Sequence, residues 1–126
     1  MTIEFHDLHD AARELAAREP IFHRAEFGTR REDFERMVAA AYWETGASGA
    51  VYSRDFVLDT LEQRHRETII ERLVVTDFRC QRLADNLYLV TYLLDQAGRR
   101  SRRATIWRRV EGSWQAVYHQ GTLVTA

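Results

Sequence analysis

The sequence has few residues that cross-link or interrupt a chain. It contains one cysteine, Cys80, and one proline, Pro20, among 126 residues. A single cysteine excludes an intramolecular disulfide and is typical of a reducing compartment. No apolar run approaches the ~20 residues that a membrane-spanning helix needs. The first ten residues, MTIEFHDLHD, are charged where a signal peptide would be apolar. We therefore expect a cytoplasmic protein that is not inserted in a membrane.

An excess of either charge is also missing. The 18 basic residues are all arginine, and 19 acidic residues give a formal net charge of -1. This balance provides no overall attraction to nucleic acid or to an anionic membrane, so neither is an expected partner. Six arginines crowd one predicted hairpin: Arg99, Arg100, Arg102, Arg103, Arg108 and Arg109. We interpret them as a solvated strand edge or as ion pairs across a dimer, except Arg103, which we expect to point inward.

The length corresponds to a single domain over residues 1–126, and its first half reads as helical. Apolar residues recur at helical spacing in residues 5–20, up to Pro20. Thr29 and Glu32 form a capping-box pattern, which predicts a second helix with one apolar face formed by Phe34, Met37, Val38 and Ala41. Ser53 is the predicted cap of a third helix, whose Val57, Leu58 and Leu61 should face inward.

The second half reads as four strands, at 73–83, 86–94, 102–110 and 113–124, rich in β-branched and aromatic residues. Tight turns at residues 84–86, 96–98 and 111–112 separate them. Short connections join antiparallel neighbours, so the strands should form a meander. Helices followed by a meander predict an α+β fold, in which helices pack on one face of a curved, mainly antiparallel sheet.

Strand periodicity sorts side chains between the two faces of this sheet. One face of the third long strand carries Arg103, Thr105 and Trp107. In the last strand, one set comprises Trp114, Ala116, Tyr118 and Gln120, and the other comprises Gln115, Val117 and His119. In the first strand, Tyr42 and Glu44 oppose Trp43 and Thr45. Periodicity alone does not decide which face lines a pocket, and a bulge would exchange the faces.

Both faces of the second long strand are apolar, which predicts a homodimer. One face carries Leu87, Leu89 and Leu93, and the other carries Tyr88, Val90, Tyr92 and Leu94. Helices can cover only one face, so the other needs a partner subunit.

Several segments together resemble the nuclear transport factor 2-like superfamily, in particular its SnoaL-like branch of domains of unknown function. They are RELAAREPIFHR, YWETGASGAVYSRDFVLDTL, DFRCQRLADNLYLVTYLL, SRRATIWRR and WQAVYHQGT. The resemblance implies a cone-shaped α+β fold, usually dimeric, with a pocket at the open end of the cone. Members of the superfamily include isomerases, cyclases, hydrolases and non-catalytic binding domains. Because one fold carries many functions, the resemblance does not select among them.

Two side chains are candidates for acid–base chemistry. Glu44 lies between Trp43 and a glycine-rich bend, where a carboxylate could act as a general base, as a single acid does in some members of the superfamily. Its alternative role is structural, with the carboxylate bonded to the bend or paired with an arginine. His119 could exchange protons near neutral pH, or it could bond across the sheet or to a dimer partner.

The expected ligand pocket is lined by Trp43, Arg103, Thr105, Trp107, Tyr118 and Gln120. His6 and His9 lie three residues apart without a third ligand nearby in sequence, so we expect no metal site, and no cofactor is indicated. The predicted function is small-molecule binding by a SnoaL-like protein, as a cofactor-independent isomerase, lyase or hydrolase. The alternative is a non-catalytic homodimeric binding or accessory domain.

Overall fold

The computed structural model describes residues 2–64 and 72–125, with side chains from residue 8 onward. Its helices are α1 (Thr2–Arg18), α2 (Arg31–Met37) and α3 (Arg54–Arg64), with a short 3-10 turn at Ala25–Phe27. Its strands are β1 (Val38–Thr45), β2 (Val51–Ser53), β3 (Leu73–Ala84), β4 (Leu87–Gln96), β5 (Arg99–Val110) and β6 (Ser113–Leu123).

The six strands form one curled sheet in the order β2-β1-β6-β5-β4-β3. Strands β3 to β6 are an antiparallel meander, and β1 lies parallel to β6. In the last hairpin, Glu111 and Gly112 both have positive φ, as the tightest hairpin turns require. The predicted α+β fold with a mainly antiparallel sheet is confirmed.

Three helices cover one face of this sheet, which we call the inner face. Buried residues of all three helices pack there: Ala11, Leu15, Phe34, Val57, Leu58 and Leu61. They meet the sheet residues Tyr88, Val90, Trp107 and Trp114. Burial of each large apolar side chain stabilises the fold by roughly 1.5–3 kcal/mol. The predicted inward residues of α3 are confirmed, and Ser53 caps that helix by accepting a hydrogen bond from Phe56 N at 3.2 Å.

The prediction for the second helix is wrong at both ends. The helix begins at Arg31, and the Asp33 carboxylate accepts a hydrogen bond from Arg30 N at 3.1 Å, so Thr29 and Glu32 do not form the cap. Residues 38–41 belong to β1, because Val38 pairs with Ala116 of β6. Pairing with a distant strand outweighs the local helical pattern here. In the part of the chain that the structure describes, no helix is both long and apolar enough to cross a membrane.

A bulge in β6 reverses the facing of its second half. Ile106 pairs with Tyr118, but the next β5 residue, Trp107, pairs with Ala116, which leaves Val117 as the extra residue. Bulges shift side chains to the opposite face in this way. His119 consequently shares the inner face with Ala116, and Tyr118 lies on the outer face.

Candidate functional site

A cavity of about 470 Å³ lies between the inner face of the sheet, helix α3 and the segment that follows α1. Its apolar wall is formed by Ile21, Phe22, Tyr52, Phe56, Val57, Leu61 and Leu94. Its polar wall is formed by His23, Glu44, Thr60, Arg64, Tyr92, Gln96, Arg99, Arg103 and His119. Among these described lining residues, three arginines face one carboxylate. The cavity therefore has the electrostatic character of a site for an anion.

Glu44 reaches the cavity from β1, on the same face as Tyr42. The Tyr42 hydroxyl donates a hydrogen bond to Glu44 Oε1 at 2.7 Å. Burial raises the pKa of the Glu44 carboxyl, because the charged form loses water, while the Tyr42 hydrogen bond and the charges of Arg103 and Arg64 oppose this shift. The Glu44 carboxyl therefore holds its proton to a higher pH than an exposed glutamate does.

His119 lies beside Glu44, with which it is paired in register, and opposite Thr105 of β5. Its Nδ1 is 2.7 Å from Thr105 Oγ1, and its Nε2 is 3.5 Å from Arg103 Nη1. Burial, together with the nearby Arg103 and His23, lowers the pKa of His119 to about 3. The ring is therefore neutral at physiological pH, with one ring nitrogen as donor and the other as acceptor.

Arg103 provides the positive charge closest to this pair. Its Nε donates to Ser101 Oγ at 2.9 Å, and its guanidinium lies against Gly121. A Cβ at position 121 would lie 3.0 Å from Arg103 Cζ, so any larger residue there would push the guanidinium from its present position.

Glu19 lies directly behind the cavity wall and is completely buried. Its carboxylate accepts hydrogen bonds from Ile21 N at 2.8 Å, Tyr92 Oη at 2.7 Å and Trp107 Nε1 at 2.9 Å. The Thr105 side chain also favours the charged form of Glu19 and so lowers its pKa. Burial raises the pKa of Glu19, and the hydrogen bonds oppose that shift. Glu19 thus connects the cavity residue Tyr92 to the buried core.

The eight predicted site residues divide into three groups. Glu44, His119 and Arg103 line the cavity. Thr105 is buried behind His119, and Trp107 is buried deeper, where it bonds to Glu19 and does not line the cavity.

The remaining three residues lie on the outer face. Trp43 and Tyr118 pack there with ring centroids 4.5 Å apart. The Tyr118 hydroxyl donates to Gln120 Oε1 at 2.8 Å, and Gln120 lies by a separate depression near Arg102 and Asp77.

The sequence analysis missed Glu19, Tyr42 and Tyr92. Glu19 carried a weak signal, because an acid at the C-terminal end of a helix opposes the helix dipole and needs another reason to be there. In the described residues, no group of three His, Cys, Asp or Glu side chains is arranged to hold a metal ion. The His6 side chain lies outside the described part of the chain.

Comparison with known proteins identifies the fold. No protein-family model matches the sequence, and no curated protein matches it. Solved structures do match. A proposed dehydratase of the NTF2-like family from Streptomyces avermitilis superposes with a TM-score of 0.75 at 16% identity, covering 98% of this chain and 99% of that one.

Two further structures resemble the chain over most of its length. An NTF2-like protein of unknown function from Silicibacter pomeroyi matches with a TM-score of 0.59 at 19% identity, covering 98% of this chain and 99% of that one. The CamKII hub homology domain of Chlamydomonas reinhardtii matches with a TM-score of 0.69 at 17% identity, covering 91% and 98%. The six-stranded curled sheet with its three helices is thus the nuclear transport factor 2-like fold, as the sequence resemblance predicted.

Proposed function

We propose that the cavity binds a small organic anion and that Glu44 moves a proton on it, as in a cofactor-independent lyase or isomerase. The observation that carries this proposal is the arrangement of Glu44, His119 and Arg103 in one cavity. It combines a proton-transfer group, a neutral imidazole and a fixed positive charge against an apolar wall, which suits a small-molecule site.

The arginine supplies the anchor for a carboxylate. A guanidinium keeps its proton throughout the physiological pH range. It offers several donors in one plane, which match the two oxygens of a carboxylate. Arg103 is held by Ser101 through Nε, so its orientation is set before a ligand arrives. Such preorganisation reduces the entropic cost of binding.

The carboxyl of Glu44 supplies the base. Its raised pKa increases its affinity for a proton, and a general base is most effective when its pKa lies near the working pH. In the proposed step, a C–H bond next to the ligand carboxylate breaks, the proton goes to Glu44, and the electron pair stays on carbon or expels a neighbouring leaving group. Among similar structures, the proposed dehydratase from Streptomyces avermitilis is compatible with such a step. Hydrolysis remains a third reaction class for the same groups.

The alternative is a non-catalytic binding or accessory domain. It is favoured by the hydrogen bond that Glu44 already accepts from Tyr42, which would make this acid a structural or ligand-orienting group. Glu44→Gln distinguishes a general base from a structural or ligand-orienting acid.

We also propose that the protein is a cytoplasmic homodimer. The support for a dimer is the outer face, where Trp43 is 46% exposed and the half-buried Ile106 and Leu89 lie in the same row across β5 and β4. The similar hub homology domain is compatible with assembly through this fold.

Binding is tested with two probes of one shape, phenylacetate and the uncharged phenylacetamide, by saturation-transfer NMR and isothermal titration. We expect phenylacetate to bind more tightly. Arg103→Met should remove this preference. Arg102→Met is the matched control, because Arg102 lies on the outer face and pairs with Asp77 at 2.9 Å. Equal binding of both probes to the wild-type protein would refute the anion site.

Catalysis is tested by following carbon-bound protons of hydroxy and keto acids in D₂O by NMR. The enzyme hypothesis is supported if the wild-type protein catalyses proton exchange or elimination on one of these acids, and if Glu44→Gln loses this activity but still binds the probe. If the wild-type protein binds the probe but exchanges no proton on any of these acids, the result supports the non-catalytic accessory domain.

A further inference from the structure

We propose that Arg64 and Arg99 form a second anion subsite at the mouth of the cavity, so that the ligand is a dianion with one acidic group at Arg103 and the other at the mouth. An apolar spacer joins the two groups. This inference rests on the proposed function for its Arg103 end, and its test separates a failure at the mouth from a failure at Arg103.

The first observation concerns the partners of the arginines. Many arginines in the described part of the chain are paired, as Arg31 Nη1 is with Asp59 Oδ1 at 2.6 Å. Arg64 and Arg99 line the cavity, and neither makes a hydrogen bond or an ion pair with another residue that the structure describes. A guanidinium stays charged at physiological pH. Both are therefore available to an anion that enters the cavity.

The register of β4 and β5 places Arg99 on the same strip of sheet as Arg103. These two arginines are four residues apart on the inner face of β5, so their Cα atoms are separated by about 13 Å. Gln96 of β4 pairs with Arg99 and also lines the cavity. The strip therefore has a polar group at each end.

The middle of this strip is apolar toward the cavity. Leu94 of β4 lies between the two ends and lines the cavity. Its partner on β5 is Ser101, whose hydroxyl oxygen already accepts from Arg103 Nε at 2.9 Å. Val57 and Leu61 of α3 line the same cavity. This polar–apolar–polar order matches a ligand that has an acidic group at each end of an apolar spacer.

Helix α3 provides the second arginine of the mouth. Arg64 is the last residue of α3 and lies one helical turn after Leu61, on the side that faces the cavity. Its positive charge favours the ionised form of the Glu44 carboxyl, which places it near the interior groups. Arg64 and Arg99 are both exposed, whereas Arg103 is half-buried. The first two therefore mark the entrance, and Arg103 lies deeper.

The balance of charge supports a dianion over a monoanion. Among the described lining residues, three guanidiniums face the single carboxylate of Glu44, which leaves an excess of two positive charges. A monoanion neutralises half of this excess, and a dianion neutralises all of it. The predicted ligand class is thus an organic acid that carries a second carboxylate or a phosphate beyond an apolar spacer.

The test compares α,ω-dicarboxylates with their monomethyl esters, which keep the length and lose one charge. Isothermal titration at low ionic strength measures both sets, from succinate to sebacate. We expect suberate or sebacate to bind about tenfold more tightly than its half-ester, because two exposed guanidiniums each contribute a modest attraction. Succinate is too short to reach both ends of a strip about 13 Å long and should show no such gain.

Methionine variants locate the source of this gain, since methionine keeps an apolar stem. Arg64→Met and Arg99→Met should each lower the ratio by about twofold. The double variant should leave a ratio of about two, the statistical advantage of a symmetric diacid. Arg100→Met is the matched control, because Arg100 is exposed on the outer face of the same strand and its loss removes the same charge. This control should keep the wild-type ratio.

A phosphonate distinguishes the two anionic groups. In the analogue of suberate, a phosphonate replaces one carboxylate. If this analogue binds more tightly than suberate and Arg99→Met removes the difference, the mouth binds a phosphate. If it binds less tightly while suberate keeps its gain over the half-ester, the mouth binds a carboxylate.

Two results would overturn the mouth subsite. One is equal affinity of every diacid and its half-ester for the wild-type protein. The other is an equal loss of the ratio in Arg100→Met and Arg99→Met, which would assign the gain to general surface charge.

The proposed function fails in a different way. If phenylacetate binds more tightly than phenylacetamide but no diacid gains over its half-ester, the mouth subsite is wrong and the Arg103 site stands. If phenylacetate has no advantage over phenylacetamide, the Arg103 site is wrong, and the two-ended ligand is refuted with it.

Discussion

Polar side chains have opposite environments on the two faces of the sheet, and their pKa values shift accordingly. On the inner face, Glu19, Glu44 and His119 are held out of water, and burial shifts their pKa values toward the neutral forms. On the outer face, Asp77 is exposed and pairs with Arg102, which lowers its pKa. A charged group on the outer face gains a partner at little cost, whereas one on the inner face alters stability and chemistry.

The largest difference between the faces should appear on removal of a hydrogen-bond acceptor. Glu19→Ala leaves the buried donors of Ile21, Tyr92 and Trp107 without an acceptor, at about 1–3 kcal/mol for each group. We expect a loss of about 3 kcal/mol or more in the free energy of unfolding, measured by urea denaturation.

The matched change on the outer face is Gln120→Ala, which removes the exposed acceptor of Tyr118. It should alter stability by no more than about 0.5 kcal/mol. Equal losses for the two variants would contradict the assignment of Glu19 to the buried network.

A charge introduced on the outer face should weaken the proposed dimer. Ile106→Arg places a charge among its half-buried apolar residues. Burying an unpaired charge in an interface costs about 3 kcal/mol or more, so the dimer should weaken at least a hundredfold. Analytical ultracentrifugation measures this, and Ala17→Arg, on the exposed surface of α1, is the control. A wild-type protein that stays monomeric at micromolar concentration would exclude the dimer.

The pH dependence of stability should have opposite signs for one acid on each face. The pKa of Glu44 is raised in the folded protein, so its contribution is present below the ordinary value of 4.5 and is lost as the pH rises through the folded pKa. Glu44→Gln should therefore stabilise the protein at neutral pH, by about 1 kcal/mol or less, and lose this advantage in acid.

The outer-face counterpart is Asp77→Asn. The pKa of Asp77 is lowered, so its contribution is present above the ordinary value of 3.8 and is lost as the pH falls. This variant should be slightly less stable at neutral pH, with a difference that shrinks in acid. Unfolding curves over a range of pH values test both signs. A Glu44→Gln variant that loses stability at neutral pH would assign Glu44 a structural role and remove it as the general base.

The smallest expected effect is a difference in solvent exposure between two tryptophans. Trp43 is 46% exposed on the outer face, and Trp107 is 1% exposed on the inner face. With 5-fluorotryptophan and a soluble paramagnetic agent, the Trp43 signal should broaden and the Trp107 signal should not. Phenylalanine variants at each position assign the signals. Protection of Trp43 that increases with protein concentration would additionally report the dimer, and a broadened Trp107 signal would contradict its burial.

The candidate site was predictable where strand periodicity runs without interruption. The alternation in β5 grouped Arg103 with Thr105 and Trp107, and all three lie on the inner face. The prediction for β6 failed after Ala116, since the bulge at Val117 moved Tyr118 and Gln120 to the outer face. A bulge depends on how a strand pairs with both neighbours, which sequence alternation does not contain.

The sequence by itself determined the types of element, the antiparallel meander and the overall fold class. These depend on local properties, namely side-chain periodicity and the short turns that permit only antiparallel neighbours. The tertiary structure decided where α2 ends, which side chains of β6 beyond the bulge face inward, and which groups surround Glu19. The donors to Glu19 include Tyr92 and Trp107, which lie 73 and 88 residues further along the chain. Only the folded chain brings them to one carboxylate, because local sequence cannot specify contacts over such separations.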